Sequence, residues 1–206
     1  MLVAPSLVVV VAVAIFPLFY AARTSFLSLS LLRPGGGASV GLANYFAVLS
    51  RFDFWHSVAV TLRLTVIAVG IELVLGLLVA MVLSAEFAGS RILRTGLSIP
   101  VMMAPLATGI IFLIIFNHSF GILNYLLMLV GLEPPLWLGQ STPAFVSVVV
   151  TDVWRSTPFM MLVLIAGLQS IPRQLYESAW MDGAPGSATF FRITLPSLKR
   201  FIFVAL

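Results

Sequence analysis

The chain has 206 residues, of which 61% are hydrophobic and 9% charged, with a formal net charge of +4. A soluble domain carries roughly 25% charged residues, so this composition cannot cover a water-facing globule and excludes an ordinary soluble enzyme. The absence of cysteine removes disulfide frameworks, thiolate metal sites and cysteine nucleophiles, and eleven scattered basic residues fit membrane-flanking loops rather than a nucleic-acid surface.

A bilayer core about 30 Å thick takes about 20 apolar helical residues to cross. Four stretches qualify. Residues 2–20 contain no charge; a signal peptide would need a basic leading region, and Pro17 and the later spans favour a retained first helix. Arg33-Pro34-Gly35-Gly36-Gly37 then reads as a flexible turn, and Phe52, Phe54 and Trp55 suit an interfacial belt. The second stretch, 58–83, carries Arg63 and Glu72, nine positions apart and out of phase on a helix. Arg63 can snorkel; Glu72 is expected to face the bundle interior and is a candidate for a solute pathway.

The third stretch, 97–116, holds Pro100, Pro105 and Gly109, breaks tolerated beside other helices or a cavity. Residues 121–132 are apolar but too short to cross, which suits an interfacial or re-entrant helix. The fourth stretch, 144–168, includes Asp152, Arg155 and Pro158. Asp152 and Arg155 share a helix face: they form an internal ion pair, or they line a solute pathway with Trp154 as a stacking surface. A fifth apolar stretch starts at Phe201; its six residues span about 9 Å, so the chain is expected to be a piece of a longer one. An inside N-terminus leaves Arg91, Arg94, Arg173, Arg192, Lys199 and Arg200 on the inner side, against Arg23, Arg33 and Arg51 outside, the favoured orientation.

Residues 170–199 are the most unusual segment. Ser170 is expected to cap a helix with Pro172 in its first turn, and Leu175, Tyr176, Ala179 and Trp180 form an apolar stripe. Gly183-Ala184-Pro185-Gly186 breaks it; Ser187 is expected to cap a second short helix that Pro196 stops. Periodicity leaves open whether this hairpin lies in the headgroup layer or docks onto a partner.

Residue identity adds to this. Leu175-Tyr176-Glu177-Ser178-Ala179-Trp180-Met181-Asp182-Gly183-Ala184, followed by Ile193, Leu195 and Pro196, resembles the cytoplasmic coupling loop of ABC importer permeases. That pattern is Glu-Ala-Ala, three residues, Gly, nine residues, Ile-x-Leu-Pro; Ser178 replaces the first alanine. Gly41-Leu42-Ala43-Asn44-Tyr45, Gly121-Ile122-Leu123-Asn124, Trp154 with Pro158-Phe159, and Ala166-Gly167-Leu168 are similar to the carbohydrate class of that family.

The resemblance implies an all-α polytopic transmembrane bundle, with four full spans, the start of a fifth and a cytoplasmic two-helix coupling loop at 170–199, all within one permease domain, 1–206. It implies a multi-pass subunit of a sugar importer in the cytoplasmic membrane. The implied partners are ABC ATPase subunits, a second homologous permease and an extracytoplasmic solute-binding protein. Its implied coupling residues are Leu175, Tyr176, Glu177, Ser178, Ala179, Asp182, Gly183, Ala184, Ile193, Leu195 and Pro196, with Glu177 offering charge to a basic partner and Gly183 the turn.

The chain's single lysine, Lys199, follows Leu198, so no G-x-x-x-x-G-K-[ST] phosphate loop exists and an ATP site is expected on another chain. No catalytic residue, metal site, cofactor or nucleic-acid partner is expected. His56 and His118 sit apart, and Gly96-Leu97-Ser98 would lie about 30 Å from His118 along a straight helix, too far for a catalytic pair. A secondary transporter or channel with an interfacial hairpin is the competing reading.

Overall fold

The computed structural model describes residues 4–29, 37–85 and 87–206; Arg33-Pro34-Gly35-Gly36 of the expected turn lies outside the described residues. Among these the fold is helical, with no strand and one isolated antiparallel bridge, Leu27 to Ser39. It divides into two compact units, Met1–Thr61 and Leu62–Leu206.

In the first unit, α1 (Ala4–Ser25) continues through Pro17, and α2 (Ala43–Leu49) follows a turn at Gly41, whose φ is +56°. The end of α1 is held by two side chains of α2. Asn44 Nδ2 donates to the carbonyls of Ser25 (2.8 Å) and Leu27 (3.1 Å), and the Tyr45 hydroxyl pairs with Ser25 Oγ at 2.7 Å. The Asn44 bonds take up carbonyls at and just past the end of α1, which a helix end leaves open. Trp55 donates to the Leu49 carbonyl at 2.8 Å, so its indole also secures a helix end.

Helix α3 (Phe52–Ser84) starts in this unit and carries into the second. There follow α4 (Ser90–Leu97), α5 (Ile99–Met102), α6 (Pro105–Ile115), α7 (Ile122–Leu129), α8 (Ser141–Gln169) and α9 (Arg173–Met181). Last come α10 (Gly186–Thr189), a π-turn (Phe190–Thr194) and α11 (Leu195–Ala205). By length and composition α3 and α8 are able to cross a membrane. The third expected span is a broken one: α4–α5 and α6 meet at 95°. Met103 and Ala104 are extended between them, with ψ of 140° and 136°. Pro105 explains the extended Ala104, because a residue before proline is pushed out of the helical region.

Three helices make the core of the second unit. Ala68, Glu72, Gly76, Ala80 and Leu83 form the buried face of α3 at near four-residue spacing. Ala80 and Leu83 pack with Met160, Met161, Leu164 and Ile165 of α8, and Ile202 and Ala205 of α11 close the cluster. Small residues set the approach. A Cβ on Gly76 would lie 2.8 Å from Met160 Cγ, and one on Gly167 would lie 2.7 Å from both Leu198 Cδ2 and Phe201 Cγ. Close approach through glycine and alanine is how apolar helices associate where no hydrophobic drive separates them from lipid. Outside this core many large apolar side chains, Val66, Leu106 and Phe203 among them, are exposed.

Three local expectations are corrected. Ser170 does not cap α9: its hydroxyl donates to the Gly167 carbonyl at 2.7 Å and finishes α8, while Pro172 occupies the cap. Ser187 lies inside α10, behind Pro185. Pro196 does not stop the second hairpin helix. It stands in the first turn of α11, and the backbone stays helical from α10 through the π-turn into α11, so the last helix begins at Leu195 rather than Phe201.

Replacing Gly167 by valine is expected to destabilise the full-length protein by about 1–3 kcal/mol, the range for overpacking. Glycine-to-alanine change at Gly131, whose φ is +77° and whose missing Cβ faces open space, adds backbone strain alone, about 1–2 kcal/mol. Thermal unfolding in detergent checks this; an unchanged midpoint for Gly167→Val refutes the close contact.

Candidate functional site

The hairpin is closed by a complete helix-ending motif. Ala184 N–H donates to the Ala179 carbonyl (2.9 Å) and Gly183 N–H to the Trp180 carbonyl (3.0 Å), with Gly183 at φ +66°, the Schellman arrangement. No atom lies within 4 Å of a Cβ built on Gly183. Glycine is needed there for its left-handed backbone, and space is not the constraint. The second tie is long-range: the Tyr176 hydroxyl meets Thr194 Oγ1 at 3.1 Å, joining α9 to the π-turn, and Thr194 is buried.

The π-turn accommodates Pro196. A proline ring collides with the carbonyl four residues back and supplies no N–H; one widened turn relieves both. Ser197 Oγ donates to the Ile193 carbonyl at 2.6 Å, so that acceptor is also occupied. The Ile-x-Leu-Pro segment is therefore a junction: Ile193 in the π-turn, Leu195 opening α11, Pro196 behind it.

The apolar stripe expected on α9 is split. Ala179 is buried, and Tyr176, Ala184, Ile193 and Leu195 are half-buried; Leu175, Glu177, Ser178, Asp182, Gly183 and Pro196 are exposed. Trp180 and the neighbouring Met181 are 81% and 82% exposed. Tyr176 and Ala179 thus seat the hairpin on its own chain, while Trp180, Met181, Leu175 and Glu177 form an outward face.

The second constellation lies between α3, α6 and α8. Asp152 and Arg155 line a groove of about 410 Å³ with Leu64, Thr108, Phe112 and Phe116. They do not pair: among the described residues the ion pair within 4 Å is Arg51 with Asp53, at 3.6 Å. Glu72 is 5% exposed, and its Oε1 is buried without a hydrogen-bond partner. It lies within electrostatic reach of Asp152 and Arg155. Trp154 does not join them. It lies on another face of α8, edge-on to Phe112 at 5.3 Å between ring centroids, and lines a separate apolar groove of about 660 Å³ with Ile71, Leu97 and Met161. The polar groove takes its aromatic wall from Phe112 and Phe116 instead.

Several contributors escaped the sequence reading. Phe116 carries no local signal for its place in the groove; Thr194 is legible as part of one side of the second short helix, with Phe190, Phe191 and Leu195, but its bond to Tyr176 is not. Asn124, already noted in its motif, is a buried hub. Its Nδ2 donates to the carbonyls of Asn117 (3.1 Å) and His118 (2.8 Å), and its Oδ1 accepts from Trp137 Nε1 (2.8 Å). It thereby holds Trp137 against Phe116, at 5.4 Å. Gly121 is required beside it, because a Cβ there would strike the carbonyls of Asn117 and Ile115. The bend before Pro105 removes the straight-helix estimate of about 30 Å between Ser98 and His118. Ser98 is nonetheless engaged, its hydroxyl donating to the Arg94 carbonyl at 2.7 Å. No group of His, Asp or Glu able to hold a metal occurs among the described residues.

Residues 72–206 match the family described as "Binding-protein-dependent transport system inner membrane component". The chain is 42% identical over 167 residues to the trehalose/maltose transport system permease protein MalF of Thermococcus litoralis, covering 81% of this chain and 57% of that protein. It is 35% identical over all 206 residues to the sulfoquinovosyl glycerol transport system permease protein SmoG of Agrobacterium fabrum, covering 67% of it. The chain thus spans about two thirds or less of the length of these relatives. In fold it is similar to a chain of a bacterial alginate ABC transporter solved with an alginate pentasaccharide-bound periplasmic protein, with a TM-score of 0.81 at 20% identity over 98% of this chain and 67% of that one.

The Tyr176–Thr194 bond is expected to contribute about 0.5–1.5 kcal/mol. A double-mutant cycle of Tyr176→Phe and Thr194→Val, read by thermal unfolding of the full-length protein, checks it; purely additive effects would show that the two hydroxyls do not interact.

Proposed function

The chain belongs to the binding-protein-dependent transport system inner membrane component family, and from that premise we propose that it is a membrane-spanning permease subunit of an ATP-driven ABC importer for a sugar or sugar-like solute. The observation that carries this reading is the hairpin from Glu177 to Pro196: its first helix is closed at Gly183, it is tied to the chain on one side, and it presents an apolar and acidic face on the other. An amphipathic hairpin merely resting in headgroups has no use for the Tyr176–Thr194 tie or for the continuous passage into α11.

In this proposal the whole chain works as one permease domain and residues 170–199 are its coupling loop. The N-terminus and the loop lie on the cytoplasmic side. α1, α3, the bent α4–α6 segment and α8 are the four spans, and α11 begins the fifth. Leu175, Glu177, Trp180 and Met181 would seat in a groove of an ATPase subunit. Movement of the ATPase would then reach the membrane by two routes: directly from α9 back to α8, and across the Tyr176–Thr194 bond into α11. Both helices meet at Gly167, so the routes converge on one packed contact. With no phosphate loop in this chain, ATP would be hydrolysed by that partner. A second homologous permease would complete the pathway, and an extracytoplasmic binding protein would deliver the solute. Glu72, Asp152 and Arg155 are the proposed pathway residues. Trp154 faces the separate apolar groove, which leaves it a packing role.

Affinity purification of the full-length subunit in mild detergent tests this, with wild type beside Glu177→Arg and Gly183→Arg. The expected outcome is an ATPase recovered with wild type and lost with both variants, which remain membrane-inserted. Wild type recovered without any ATPase would favour a secondary carrier.

A further inference from the structure

The polar groove carries a statement about substrate charge that goes further than "sugar" and rests on the permease reading above. Arg155 is the one basic residue lining it, and Asp152 lines it beside Arg155. Glu72, buried and with an unpartnered Oε1, is not among the lining residues but lies within electrostatic reach of both. Among the groove's lining residues one carboxylate, Asp152, stands against one guanidinium, Arg155, so no positive charge is in surplus. An anionic solute leaving water needs a cation of its own, since an uncompensated buried charge is costly. Here the available cation already has acidic neighbours.

The same groups suit hydroxyls. Asp152 and Arg155 share a face of α8 without bonding each other, which leaves an acceptor and a forked donor side by side. A sugar hydroxyl both donates and accepts, so adjacent hydroxyls can use the two together, and bonds to ionised partners are the stronger kind. Phe112 and Phe116 supply apolar surface for the C–H faces of a ring. The volume of about 410 Å³ falls within the range of small-molecule sites, about 300–1,000 Å³. Ionised groups within spanning helices are expensive to insert and are retained where they serve a pathway.

We infer that this groove takes an uncharged, polyhydroxylated solute and discriminates against anionic sugars, with Asp152 as hydroxyl acceptor and Arg155 as hydroxyl donor. The test uses the full-length permease with its partner subunits in nanodiscs, without binding protein, so that the selectivity read is the permease's own. Trehalose and trehalose 6-phosphate share one scaffold and differ in charge; saturation-transfer NMR measures each. Wild type is expected to bind trehalose about tenfold more tightly than its phosphate. Asp152→Asn should weaken trehalose binding about fivefold or more while narrowing that preference. Equal or tighter binding of the phosphate, binding of neither sugar, or an unchanged trehalose affinity in Asp152→Asn overturns the inference. The wild-type ligand comparison stands even where the variant fails to fold. ATPase co-purification and ATP hydrolysis in the same sample report separately on the permease reading: an ATP-hydrolysing complex that prefers the phosphate overturns the charge inference alone.

Discussion

Everything in the second unit depends on how closely α3, α8 and α11 approach one another, and that distance is set by two glycines. Gly76 lets α3 sit against Met160, and Gly167 lets α11 sit against α8 through Leu198 and Phe201. Larger side chains there would push the helices apart, because packed interiors have little room to yield. Two features follow from this approach. The α3–α8 contact carries Glu72 into reach of Asp152 and Arg155, and the α8–α11 contact joins the helices at either end of the hairpin.

Proline shapes what surrounds that core, in different ways at different positions. Pro105 forces an extended step before α6 and turns the third span through 95°. The bend divides the space between helices: α5 contributes Ile99 and Pro100 to the apolar groove, and α6 contributes Pro105, Thr108 and Phe112 to the polar one. Pro196 is absorbed in a widened turn, and the helix continues. Pro17 and Pro158 stay inside α1 and α8. A proline in the sequence marks a position where backbone bonding must be rearranged; the neighbours decide whether that becomes a bend, a π-turn or nothing visible.

Polar side chains do most of the remaining positioning, chiefly by bonding to backbone. Asn44 secures the end of α1, Asn124 secures the segment before α7, and Arg94 donates to the Leu83 carbonyl at 2.6 Å near the end of α3. Each serves a helix end or turn where carbonyls lack helical partners. Glu72 differs, with a buried oxygen that no such carbonyl-seeking role explains.

Composition and apolar run lengths determined that this chain is helical and membrane-type, since nine charged residues in a hundred permit no other surface. The apolar stripe followed by Gly183-Ala184-Pro185-Gly186 marked the hairpin, because glycine suits the point where the backbone turns left-handed. Local spacing did not determine whether Asp152 and Arg155 pair, and they do not; it grouped Trp154 with them, and helix rotation separates them. The split of the α9 stripe, with Ala179 inward and Trp180 outward, and the Tyr176–Thr194 bond were likewise decided by tertiary structure. Sequence periodicity reports which residues share a face of one helix. Which faces meet depends on how near two backbones can come, and here that was settled at Gly76 and Gly167.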